Sequence, residues 1–211
     1  MVAGHETTSG ALSFALYHLT QNPDVLARAK AEVDALWGGS ANPEPTYTDV
    51  AKLRYVRAVI DESSRRWPTA PGYLRVARTD TVLGGRYRIK RGQWVLVLLP
   101  ILQRDPSVWP DPERFDPERF APGAAKNRAH AYKPFGTGQR ACIARQFALH
   151  EAVLTLGLIL HRYDLTPEDG YRLQISESIT LKPRGFRLGL GKRTAWSRMP
   201  APDTDLSRRS A

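Results

Sequence analysis

Phe135-Gly136-Thr137-Gly138-Gln139-Arg140-Ala141-Cys142 stands immediately before the most apolar helical stretch of the chain, Ile143 to Arg162. The two glycines let a backbone turn tightly and come close to a neighbour. A helix start places amide donors and the positive end of its dipole beside Cys142, which favours a negative sulfur. A soft anionic sulfur in a glycine turn, with Phe135 on one side and Arg140 two residues earlier, suits an iron porphyrin, with sulfur on iron and the guanidinium on a propionate. The competing reading of a lone cysteine is a small buried hydrophobe.

Downstream, Ile143, Phe147, Leu149, Leu154, Leu158 and Leu160 are so frequent that the helix over 143–162 is expected to be largely buried. Upstream, Arg104 to Pro134 is rich in Pro, Asp and Arg without periodicity. It is too long for an ordinary connector and reads as a functional wrapping loop. The near-duplicate DPERFDPERF at 111–120 lies inside it. Before it, Tyr73–Ala77, Val82–Leu83, Tyr87–Ile89 and Trp94–Leu99 read as strands of a small sheet, with Gly84-Gly85 as a hairpin signal.

Earlier still, apolar spacing predicts helices over 3–20, over 23–37 with Asn22-Pro23 as its start and Gly38-Gly39 as its stop, and over 55–66 ahead of Pro68. The first of these has no capping residue before it. Thr48 is a candidate cap for a short turn. Beyond the cysteine helix, Tyr171–Ile175, Ile179–Leu181 and Phe186–Leu190 read as strands, the last two joined by a turn at Lys182-Pro183-Arg184-Gly185. After Gly191 a basic Pro/Ser/Arg-rich tail or linker is expected.

With 42% hydrophobic and 25% charged residues in 211, disorder, collagen and coiled coil are excluded. The longest apolar stretches, Trp94–Leu99 and Val153–Leu160, are far too short to cross a bilayer, so no membrane span is expected. One cysteine cannot form an internal disulfide, and a reducing, cytoplasmic compartment suits it. Of the net charge of +10, residues 182–211 contribute +6, eight Lys or Arg against two Asp, and the remaining arginines form no basic stripe interleaved with aromatics. Nucleic acid is therefore not the expected partner. The five histidines lack paired metal-ligand spacing, although His130 lies either near a propionate or free in a loop. No phosphate-binding glycine fingerprint occurs.

The segment from Phe135 resembles the haem-binding signature of the cytochrome P450 family, Phe-x-x-Gly-x-Arg-x-Cys-x-Gly, at Phe135, Gly138, Arg140 and Cys142, with Ala144 where the signature most often has Gly. Three further segments are similar to the same family, in its order. Ala3-Gly4-His5-Glu6-Thr7-Thr8 resembles its oxygen-activation stretch, Glu62-Ser63-Ser64-Arg65 its Glu-x-x-Arg motif, and Pro117-Glu118-Arg119-Phe120 its loop arginine, for which Arg114 of the upstream copy is the alternative.

The resemblance covers residues 2–190 and implies a mainly α fold with small β-sheets, the C-terminal portion of the P450 fold and therefore incomplete. Residues 1–190 would be that half of a haem-thiolate monooxygenase domain and 191–211 the tail. Haem b, iron protoporphyrin IX, would be held by Cys142 as metal ligand, with Arg140, Phe135, Gly136, Gly138 and Ala144 around it. Thr7 and Glu6 would be catalytic, delivering protons. Glu62, Arg65 and Arg119 would form a structural cluster behind the cysteine loop. The branch most similar is that of self-sufficient fatty-acid hydroxylases, in which a flavin reductase carrying FAD and FMN passes electrons from NADPH. On that resemblance Ala3, Ala70, Gly72 and Ile179 would line the cavity for a small apolar substrate, a fatty acid. A haem-thiolate peroxygenase and a truncated, non-catalytic remnant are the competing readings.

Overall fold

The computed structural model describes residues 2–38, 40–121, 123–124 and 130–194, Val2 and Ala3 by their backbone alone. Four helices supply the core: α1 (Val2–Gln21), α2 (Pro23–Trp37), α3 (Arg54–Arg66) and α5 (Arg145–Arg162). Their buried stripes meet through Leu19, Ala29, Val33, Val56, Ile60, Val153 and Leu156, among others. Each fully buried large aliphatic side chain there contributes about 1.5–3 kcal/mol. α3 starts on a carboxylate borrowed from α2, since Glu32 accepts the backbone N–H groups of Tyr55 at 2.8 Å and Val56 at 2.9 Å. These are donors that a helix start leaves without an intrahelical partner.

Among the described residues eight short strands pair antiparallel in twos: β1 (Gly72–Val76) with β4 (Trp94–Leu98), β2 (Thr81–Leu83) with β3 (Tyr87–Ile89), β5 (Tyr163–Pro167) with β8 (Leu188–Lys192), and β6 (Ile175–Glu177) with β7 (Leu181–Pro183). The chain is thus mainly helical with small sheets, as expected. Several local expectations change. Leu99 leaves the strand and opens the short helix α4 (Leu99–Leu102), in which Pro100 stands near the start, where its missing N–H costs nothing. Asn22 occupies the N-cap position of α2, but its side-chain amide turns back to the His18 carbonyl at 2.7 Å. The short turn at 47–51 is capped from Thr46, not Thr48, the Thr46 N–H donating to Asp49 at 2.9 Å. Gly39 lies outside the described residues.

At the C-terminal side, β5 continues directly from α5. It takes β8 as its partner, so the expected hairpin through Lys182–Gly185 does not form; β7 pairs with β6 instead. The expected tail boundary at 191 falls inside β8, and Arg193 is itself held. Its guanidinium, 9% exposed, forms a bidentate pair with Asp34 at 2.8 and 3.0 Å and donates to the Leu160 carbonyl at 2.9 Å. Residues 195–211 lie outside the described residues. The helix expected from Ile143 begins at Arg145, and Phe147 is 71% exposed. The buried stripe runs through Leu149, Ala152, Val153, Leu156 and Leu160, and Phe147, two residues before Leu149, projects about 200° away from it.

One buried group of this core titrates in an accessible range. His18 on α1 stacks on Phe115 with ring centroids 4.4 Å apart. Burial, and then the nearby charges of Arg66, Arg65 and Arg104, lower its pKa to about 3. The unfolded chain, at the ordinary value of 6.5, binds a proton that the folded chain refuses. The stabilisation is therefore complete above pH 6.5 and shrinks as pH falls from 6.5 toward 3. Going from neutral pH to pH 5 is expected to cost about 2 kcal/mol on this account. His18→Phe, which keeps the stack, should remove that part of the slope in denaturant titrations at the two pH values; an unchanged slope would assign the acid sensitivity to other groups.

Candidate functional site

The cysteine loop is built by two glycines with positive φ, Gly136 at 68° and Gly138 at 74°, a region that L side chains rarely adopt. Between them the chain reverses, so that the Cys142 N–H donates to the Phe135 carbonyl at 2.9 Å. Gly138–Arg140 forms a single 3-10 turn, and Ala144 is the N-cap of α5. Cys142 therefore sits two residues before the cap of α5, further out than a helix beginning at Ile143 would place it. Its thiol is exposed, which overturns the reading of a buried small hydrophobe.

The thiol opens into a cavity of about 320 Å³ that gathers residues far apart in sequence: Thr7 from α1, Ala70 and Gly72 at the start of β1, and Phe135, Gly136 and Arg140 from the loop. Thr69, Tyr73, Leu99 and Pro134 complete the lining, and none of the four is marked by a sequence motif. Glu6, one residue from Thr7, is not part of it. Its carboxylate lies toward the second hairpin, 3.6 Å from Lys182 Nζ and 3.4 Å from the Thr180 hydroxyl. Ile179 is 91% exposed at the β6–β7 turn and lines no part of the cavity. The side chain of Ala3 lies outside the described residues. His130 is exposed.

Behind the loop, Glu62 and Arg65 on α3 are fully buried, at 0% exposure each. Arg65 Nε and Nη2 donate to the two carboxylate oxygens of Glu62 at 2.7 and 2.8 Å. The guanidinium also reaches the carbonyls of Gln103 and Pro112, both at 2.8 Å. Burial raises the Glu62 carboxyl above its ordinary value, against the pull of Arg65 and Arg119. Arg119 completes the cluster, its Nε 3.5 Å from Glu62 Oε1, whereas Arg114 is exposed. The two identical pentapeptides thus do different work. The first offers backbone carbonyls to Arg65 and the Phe115 ring to the core; the second offers the Arg119 side chain.

Three polar groupings around the loop escape sequence reasoning. Arg75 on β1 donates to the Thr137 carbonyl at 3.0 Å, bracing the loop from the sheet. Tyr132, three residues before Phe135, donates its hydroxyl to the Asp61 carboxylate at 2.9 Å. Burial raises both of their pKa values, with Arg57 at 2.8 Å opposing this at Asp61. Gln103 is completely buried. Of these only Gln103 leaves a trace in the sequence, as a lone amide closing the apolar run Val95–Leu102.

The family model for cytochrome P450 matches residues 1–190. The chain belongs to the cytochrome P450 family. Among curated proteins it is 50% identical over 190 residues to a bifunctional cytochrome P450/NADPH--P450 reductase of Bacillus cereus, covering 89% of this chain and 18% of that one. It is 46% identical over 191 residues to a self-sufficient cytochrome P450 monooxygenase of Aspergillus terreus, with the same coverage. Among solved structures, a cytochrome P450DA heme domain superposes with a TM-score of 0.85 at 46% identity, over 92% of this chain and 42% of that one. The chain thus spans under a fifth of these curated P450 relatives and under half of that P450 domain.

Haem is the cofactor of the P450 family, and the residues present fit it. An exposed thiol opens into a cavity, Arg140 is part of its lining, and Gly136 brings bare backbone to it. A Cβ added at Gly138 would meet nothing within 4 Å, so the loop leaves open space on this side. Among the described residues, no helix is long and apolar enough to cross a membrane.

Proposed function

We propose that the protein to which these residues belong is a cytoplasmic haem-thiolate monooxygenase that inserts one atom of dioxygen into a C–H bond of a fatty acid, with electrons passed from NADPH through a flavin reductase. The observation that carries this reading is the exposed Cys142 thiol opening into the cavity shared with Thr7, Phe135 and Arg140. When bound, the haem supplies the activation of dioxygen. The chain's own residues do the rest. Cys142 holds the metal through an anionic sulfur, and Arg140 neutralises a propionate. Phe135, Gly136, Gly138 and Ala144 shape the loop around the ring. Thr7 holds a proton at its hydroxyl where the cavity closes against α1, and Glu6, half-exposed on the same helix, exchanges protons with solvent. Ala70 and Gly72 leave room for an unbranched apolar chain beside Leu99 and Tyr73. Relatives named as bifunctional with an NADPH--P450 reductase support the electron source.

The test is the reduced carbon monoxide spectrum of the whole protein, followed by fatty-acid turnover with NADPH and a flavin reductase. Absorption at the long-wavelength position typical of thiolate ligation, with hydroxylated product, is the expected result; an imidazole-type spectrum or no product refutes the reading. Thr7→Ala tests the proton step separately. The variant should keep its haem and its NADPH consumption while product per NADPH falls on the order of a hundredfold, the electrons leaving as peroxide or water. If that yield is unaltered, Thr7 is only a helix residue.

A further inference from the structure

We infer that Gln103 is a positioning residue for the cysteine loop, its buried side-chain amide transmitting the placement of α3 to Cys142. The inference rests on the reading of Cys142 as the haem ligand and assigns a residue that this reading leaves unused. Gln103 stands just past α4, fully buried. Its Nε2 donates to the Ser64 and Arg65 carbonyls, both at 3.0 Å. These belong to the last turn of α3, where carbonyls have no intrahelical partner. Its Oε1 accepts the Lys133 N–H at 2.9 Å, and its own carbonyl accepts Arg65 Nη1 at 2.8 Å. One side chain therefore closes the end of α3 and grips the strand of chain entering the cysteine loop.

From Lys133 the path continues without a break. The Lys133 carbonyl accepts the Gly136 N–H at 3.0 Å, and the Phe135 carbonyl accepts the Cys142 N–H at 2.9 Å. Pro134 lies between the two gripped residues and fixes its own φ, so a displacement at Lys133 passes on to Phe135 with little lost in backbone rotation. A second anchor from the same helix holds the neighbouring residue, Tyr132 on Asp61. The Glu62–Arg65 pair is thus linked to the loop through Gln103, whose carbonyl accepts Arg65 Nη1 and whose side chain holds the Lys133 N–H. A buried amide whose two donors and one acceptor all meet backbone groups has no freedom to rotate without breaking three hydrogen bonds.

Three variants of the whole protein test this. Gln103→Leu removes the side-chain donors and the acceptor at nearly constant volume. Gln103→His restores one N–H and one lone pair. Glu32→Ala loosens the other end of α3 and serves as the control for mere destabilisation. Hydrogen exchange over residues 131–142 in the haem-free, folded protein is expected to quicken about tenfold in Gln103→Leu, the factor that one hydrogen bond of ordinary strength represents, to recover in Gln103→His, and to stay unchanged in Glu32→Ala. With haem bound, Gln103→Leu should lose part of the thiolate-type carbon monoxide absorption and shift the reduction potential, and Glu32→Ala should do neither. Equal changes in Gln103→Leu and Glu32→Ala, or none in Gln103→Leu, would overturn the proposal. A wild-type protein without thiolate-type absorption would instead refute the haem reading, and the exchange measurement would still decide the role of Gln103.

Discussion

Replacing Cys142 with histidine in the whole protein is expected to leave the fold intact, to keep haem bound, and to move the reduced carbon monoxide absorption from the thiolate position to that of imidazole ligation. The fold survives because Cys142 faces the cavity and not the helical core, and is tied to Phe135 and Arg145 through its backbone, which the substitution leaves in place. The chemistry does not survive. A thiolate pushes electron density toward iron, as a neutral imidazole does not, so hydroxylated product is expected to fall to background. The paired measurement of unfolding free energy and spectrum separates the two statements. An unchanged spectrum would mean that iron is bound elsewhere, and a collapsed fold would mean that the loop contributes to the core in a way its exposure does not show.

Glu62→Leu is expected to destabilise the folded chain by about 3–5 kcal/mol, because it strands the Arg65 guanidinium at 0% exposure. Against a typical net stability of about 5–15 kcal/mol this is about a fifth or more of the margin. The carbonyls of Gln103 and Pro112 remain as acceptors for Arg65 but carry no charge to offset it. The Asp116 N–H, which Glu62 accepts at 3.0 Å, also loses its partner, so the meander through 111–120 loosens together with the helix. Adding Arg65→Met removes the stranded charge and should recover much of the loss, since well-packed apolar replacements of buried ion pairs are often neutral. Denaturant unfolding of the two variants checks this. A double variant no better than Glu62→Leu would show that the backbone hydrogen bonds of Arg65, and not its charge, hold the meander.

The part of the site written in eight consecutive residues is legible in the sequence alone, because the glycines, the arginine and the cysteine of 135–142 act through local backbone chemistry. Glu62 and Arg65 share one helix face three positions apart, a spacing common on helix surfaces, and it is the resemblance to the family's Glu-x-x-Arg motif that singles them out. The choice between Arg119 and Arg114 has no local signal, since the two pentapeptides are identical; in the folded chain Arg119 lies beside Glu62 and Arg114 is exposed. Of the adjacent pair Glu6 and Thr7 only Thr7 lines the cavity, because consecutive residues on a helix project about 100° apart. Among the C-terminal strands, β5 contains Asp164 and Pro167, residue types depleted in sheets, so composition conceals it. Turn chemistry at 182–185 then suggests a pairing that the departure of β5 from α5 forestalls. Asp61 and Tyr132 meet across tens of residues, and nothing in spacing or composition announces that contact; Gln103 shows only as an amide after an apolar run, with no sign of its partners.

The clamp at Arg193 has a mechanical meaning. β8 is a single strand hydrogen-bonded to β5, and its first rung on the C-terminal side is Lys192 opposite Tyr163. A strand pulled from such an end opens one rung at a time, each needing little force. Here the residue just beyond that rung is gripped by Asp34 on α2, and its own N–H holds the Arg162 carbonyl at 2.9 Å. A tug on the chain after Thr194 is therefore carried sideways into the helical core and not along the ladder. Like a stop at the end of a zip, the ion pair makes the first step of unfastening the hardest.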